Sequence, residues 1–173
     1  MTDPANGADD GAAEAPALDP TVAAEHHLVP LGTKLAKAFT LRGEGKHDDA
    51  AELLREILQA DPRLAEPRLE LAHIAAERQD WEEAEEQARA AVDILRAGGQ
   101  WTASLSPEQM LAFAINLLGE VVYRALQDGD LIFRDAVAFT ARWNEAAAFF
   151  EEAAKLDPSN EDARHWAIHV RPR

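Results

Sequence analysis

Two histidines, His165 and His169, stand four residues apart near the end of this sequence. On a helix they share a face, the spacing at which paired imidazoles can hold a metal. The residues between them are Trp-Ala-Ile, without the carboxylate that a zinc hydrolase places there. They read as an ordinary surface pair, and no metal is expected. Carboxylates are plentiful and often adjacent: Asp48-Asp49, Glu82-Glu83, Glu85-Glu86 and Glu151-Glu152. Catalytic carboxyl pairs need burial to separate their pKa values. These lie on helical segments and read as solvated outer faces. No phosphate-cradling glycine loop or serine elbow occurs. Cysteine is absent, which excludes disulfides, thiol nucleophiles and Cys-based zinc sites. The expectation is a protein that is not an enzyme and has no catalytic residues or cofactor.

The elements that would position any site are helices. Hydrophobic residues make up 47% of 173 residues, enough for one domain with a core. Much of that share is alanine, a strong helix former that lets helices approach closely. β-Branched residues are few and nothing alternates apolar with polar over strand length, so the class is all-α. The formal charge is −15, and Lys and Arg are scattered singly. That argues against nucleic acid, which needs a basic face to displace counterions, and against an anionic membrane surface. No apolar run is long enough to cross a bilayer, and the N-terminus lacks a basic segment followed by an apolar one. A cytoplasmic location is expected.

Residues 1–30 read as a disordered acidic tail rich in alanine and proline. They hold four prolines and six acids, and no Lys or Arg precedes Lys34. From residue 31 onward the chain repeats itself. Ala38 matches Ala72, Ala50 matches Ala84 and Leu35 matches Leu69, each 34 residues on. Gly45-Lys46-His47-Asp48-Asp49-Ala50 aligns with Gln79-Asp80-Trp81-Glu82-Glu83-Ala84. Two helical segments per 34-residue unit are the signature of a helical-hairpin solenoid, in which stacked hairpins bury what none buries alone.

With those small residues, and with Asp61-Pro62 and Asp157-Pro158 ending second helices, residues 31–170 resemble the tetratricopeptide repeat family. The reading is an all-α solenoid of about three such hairpins, over 31–64, 65–98 and 107–158, with a capping helix over 159–170, all within one domain at 31–173. Asp80 with Glu83, and Ser106-Pro107-Glu108-Gln109, offer N-caps. Gly98-Gly99 marks a helix stop. In the third hairpin Gly119 and Ala146 are 27 residues apart where the regular units have 12. Ile132, Ala136, Phe139, Trp143, Ala146, Phe150 and Ala153 recur at helical spacing. They predict one continuous helix over 131–156, roughly 39 Å long, with a break near Thr140 as the alternative.

The resemblance also implies a function. Tetratricopeptide proteins usually bind a peptide or helix on the concave face, lined by first helices. The matched positions are Leu35, Phe39 and Arg42, then Leu69, His73 and Ala76, with Asn116, Glu120 and Tyr123 on the third first helix. A subset of the family grips a partner's C-terminal carboxylate with Lys, Asn and Arg. The matched residues here are Leu35, Phe39 and Glu70, which cannot donate to a carboxylate. The expectation is an adaptor that takes a partner peptide or amphipathic helix in an apolar groove. Alternatives are a small acidic secretion-type chaperone and a self-assembling unit, a homo-oligomer through the long third hairpin. Trp101, in a loop, is a secondary contact candidate.

Overall fold

The computed structural model describes residues 20–173, with side chains from residue 29 onward. Its helices are α1 (Pro20–Gly43), α2 (His47–Ala60), α3 (Glu66–Glu77), α4 (Trp81–Arg96), α5 (Pro107–Asp128), α6 (Leu131–Arg134), α7 (Ala136–Leu156) and α8 (Glu161–His169). No strand accompanies them among the described residues. α1 packs on α2, α3 on α4 and α5 on α7, and α8 covers the last pair. This is the expected all-α solenoid of three hairpins and a final helix.

The small residues sit where the hairpins close. Ala38, Ala50, Ala72, Ala84 and Ala146 are all buried. At Gly119 an added Cβ would lie 2.9 Å from the Phe150 ring, so α5 and α7 meet through a glycine beneath an aromatic plate. α3 is apolar on more than one side and joins two cores. Leu71 and Ile74 pack with Leu35, Leu54 and Ile57 of the first hairpin. Leu69, Ala72 and Ala75 pack with Ala84, Ala88 and Leu118 of the larger core, which runs on to Phe150 and Ala163.

Local chemistry sets the boundaries. Gly45 turns between α1 and α2 at φ +75°, and Gln79 occupies the same place in the next repeat at φ +60°. Asp80 caps α4 by accepting from the Glu83 amide. Ser106 and Gln109 form a reciprocal capping box on α5, and Asn160 caps α8 through the Ala163 amide. After α4 the chain passes through Gly98 at φ +79°. Gln100 then pairs with the segment between α2 and α3, its amide donating to the Arg63 carbonyl and its carbonyl accepting from the Ala65 amide.

Two expectations need correction. The third hairpin does not carry one helix over 131–156, nor a break near Thr140. The break is at Asp135, which is extended (φ −151°) and whose carboxylate accepts from the Val137 and Ala138 amides. A side chain able to cap a new helix ends the old one, and apolar periodicity cannot report that. The buried seam accordingly begins at Phe139, while Ile132 and Ala136 are exposed. The domain's first helix also starts earlier than residue 31. Pro20–Pro30 belong to α1, which continues through Pro30. The rest of the expected tail, residues 1–19, lies outside the described residues.

Candidate functional site

The inner face is built from α1, α3 and α5, and it carries two neighbouring hollows. The first, about 200 Å³, is lined by Phe39 of α1, Leu69 and Glu70 of α3, Met110 and Phe113 of α5, and Leu105 of the preceding loop. Its walls are mostly apolar. Phe39 and Phe113 come from different hairpins, yet each stays more than two-fifths exposed. Large aromatics usually bury most of their surface, so two left open on one hollow are a conspicuous feature.

A buried carboxylate holds the loop that forms one wall. Glu66 is 6% exposed and accepts from the Thr102 amide at 2.7 Å, the Ala103 amide at 2.9 Å and the Thr102 hydroxyl. Trp101 braces the same loop. It packs on the larger core, and its indole Nε1 donates to the Leu105 carbonyl. Trp101 is thus half-buried support for the wall.

The second hollow, about 220 Å³, continues along the same helices and is more polar. His73, Glu77, Leu117, Glu120 and Arg124 line it. The His73 and Phe113 rings, 6.5 Å apart, stand between the two hollows. Arg42 Nε lies 2.9 Å from Glu70 Oε2, an ion pair not aligned as a hydrogen bond, and Arg42 Nη1 donates to Glu77. Glu120 accepts from Asn116 Nδ2 and Arg124 Nη2. Burial pushes the Glu70 and Glu120 carboxyls above their ordinary range, opposed by Arg42 and Arg124 respectively. Burial, with the Arg42 charge nearby, lowers His73 to about 4. His73 is therefore neutral at pH 7.

The structure sorts the matched positions. Phe39, Arg42, His73 and Glu120 reach the inner face, and Leu69 floors the first hollow. Leu35, 1% exposed, is core and not groove. Asn116 is buried beneath Glu120. Tyr123 turns away and packs edge-on against Trp143 and near Trp166. Leu35, Leu69 and Asn116 share one repeat position, and that position points between neighbouring helices. Phe113, Met110, Leu105 and Glu77 escaped the sequence reading. Phe113, Leu117, Glu120 and Arg124 do share one face of α5 by spacing, a signal that could have found Phe113.

His165 and His169 stack with ring centroids 4.1 Å apart, and no group of three potential metal ligands occurs among the described residues. Of the acidic pairs, Asp48, Asp49, Glu82, Glu86 and Glu151 are exposed as expected, but Glu85 is partly buried. Glu85 and Glu145 join Arg89 and Arg142 in a network between α4 and α7. Burial works against the Glu85 charge, but hydrogen bonds from Arg142 and Arg89 outweigh it and hold the carboxyl below its usual value. No helix among the described residues is long and apolar enough to cross a membrane.

Residues 41–102 match the tetratricopeptide repeat family profile, and they span α2 to α4 with their flanking turns. This stretch carries tetratricopeptide repeats. A tetratricopeptide solenoid described as the first such domain of Spaghetti (RPAP3), bound to the HSP90 peptide SRMEEVD, superposes with a TM-score of 0.60. It is 18% identical, over 81% of this chain and 89% of that one, which speaks to the fold alone. The protein O-mannosyl-transferase Tmtc1 of Drosophila melanogaster is 33% identical over 129 residues, 72% of this chain. The chain spans only 12% of that relative's length.

Proposed function

We propose that this tetratricopeptide-repeat protein is a protein-interaction adaptor that receives a partner segment on its inner face. The observation that carries this reading is the first hollow. Phe39 and Phe113, from separate hairpins, leave their rings 42% and 43% exposed around an apolar space the size of a large side chain. Interfaces concentrate their energy in a few aromatic anchors of this kind. The solved solenoid of similar fold holds a peptide from HSP90, and a peptide site on the present inner face is the corresponding reading.

The test pairs binding with folding. Phe39→Ala and Phe113→Ala should each weaken binding of a captured partner by about 1–3 kcal/mol in calorimetry. Circular dichroism and melting should stay close to wild type, because both rings are already partly in solvent. Unchanged affinity in both variants would move the site elsewhere on the molecule.

A second reading has its own observation. Phe133 is 89% and Val137 81% exposed at the α6–α7 corner, beside exposed Ile132. Such a patch suits self-association. Light scattering across a concentration series should then show a mass that rises in the wild type and stays monomeric in Phe133→Asp.

A further inference from the structure

Charge on the inner face says what kind of segment would fit, given the adaptor reading above. Four carboxylates, Glu66, Glu70, Glu77 and Glu120, line the two hollows, against two guanidinium groups, Arg42 and Arg124, and the His47 imidazole beside Glu77. Arg42 is already divided between Glu70 and Glu77. Arg124 lies against Glu120, on which the Asp162 charge also bears. His73 between them is neutral. An incoming anion would meet more carboxylates than free cations, while an incoming cation would complete the unbalanced set. The chain's overall charge of −15 steers in the same direction.

The two hollows also have a spacing. Phe113 frames the first and Glu120 the second, seven residues apart on α5, or roughly 10 Å along its axis. A polyproline-type extended chain brings residues i and i+3 to the same side about 9 Å apart.

We infer that the groove takes an extended basic segment, with a large apolar side chain in the first hollow and a Lys or Arg three residues away against Glu77 and Glu120. An acidic tail of the kind seen in the HSP90 peptide SRMEEVD is the wrong charge for this face.

Fluorescence anisotropy with the full chain and short labelled peptides tests this. Each peptide carries one Leu, followed three positions on by Lys, Ala or Glu, in an otherwise Ser/Gly background. The Lys peptide should bind at least about tenfold more tightly than the Glu peptide, and the gap should narrow as salt is raised. Moving Lys next to Leu should remove its advantage. In Glu77→Gln/Glu120→Gln, checked for folding by circular dichroism, the Lys preference should vanish while the Ala peptide binds as before. In Phe113→Ala all three peptides should weaken together. Equal or tighter binding of the Glu peptide would overturn the basic-segment inference and leave the adaptor reading standing, as would a Lys preference that survives the double variant. No binding by any of the peptides would overturn both.

Discussion

Single side chains in this protein carry consequences that can be measured one at a time. His73 is a base whose folded pKa, about 4, lies below its ordinary 6.5. Between those values the unfolded chain takes a proton that the folded chain refuses. The His73 contribution to stability is therefore complete above about pH 6.5 and falls as pH drops toward 4, by about 3 kcal/mol at most. Glu70 and Glu120 work in the opposite sense. Their raised carboxyls accept protons in the folded state first, so they gain stability as pH falls through their folded values. His73→Gln should thus lose less stability than wild type on acidification from pH 6.5 to 4, and the His73 ring should stay neutral by NMR until about pH 4. A ring that titrates near 6.5 would show that burial and the Arg42 charge do not act on it as described. Ala84, with no exposed surface, is a second single-residue test. Ala84→Leu should cost about 1–3 kcal/mol by overpacking the α3–α4 crossing, and an unchanged melting temperature would refute that placement.

At the scale of elements, the turns explain what sequence could and could not reveal. Gly45 and Gln79 occupy the same repeat position and both adopt positive φ, but only glycine does so without steric cost. Gln79→Gly should raise stability by about 0.5–1 kcal/mol, read as a higher denaturation midpoint. Gly99 is the reverse case. A Cβ there would meet the Ile94 and Arg63 carbonyl oxygens at 2.7 and 2.8 Å, and backbone cannot step aside as a side chain can. Gly99→Ala should cost about 1–3 kcal/mol, and it should also disturb the Thr102–Leu105 wall of the first hollow. The repeat period, the small crossing residues and the caps at Asp80 and Ser106 were legible because each rests on short-range chemistry. The break at Asp135 was not, because a lone capping carboxylate leaves the apolar period intact. The lining of the two hollows was half legible. Repeat matching found Phe39 and His73, but it carried Leu35 and Tyr123 along, since identical spacing does not say which neighbour a side chain faces. Phe113 lay outside the matched triplet, although it sits on the α5 face that Glu120 shares.

The molecule as a whole has two cores joined through α3. Among the described residues the first hairpin, α1 with α2, packs chiefly on α3. The second and third hairpins share a larger core that α8 closes. A solenoid of this kind is a short chain of coupled units. Denaturant should detach α1–α2 before the remainder, giving two transitions, and amide hydrogens in α2 should exchange with less protection than those in α5. A single coincident transition by all probes would contradict this. The first hollow spans the seam, since Phe39 belongs to the detachable unit while Met110 and Phe113 belong to the rest. Whatever fills it acts as a rivet between two folding units. A ligand held at about a hundredfold excess over its Kd adds roughly 2.7 kcal/mol to the state that binds it, here only the state with both units docked. Loading the groove should therefore fuse the two transitions into one. Occupancy of the groove would then be read by cooperativity itself, with the first hairpin's lifetime set by its guest.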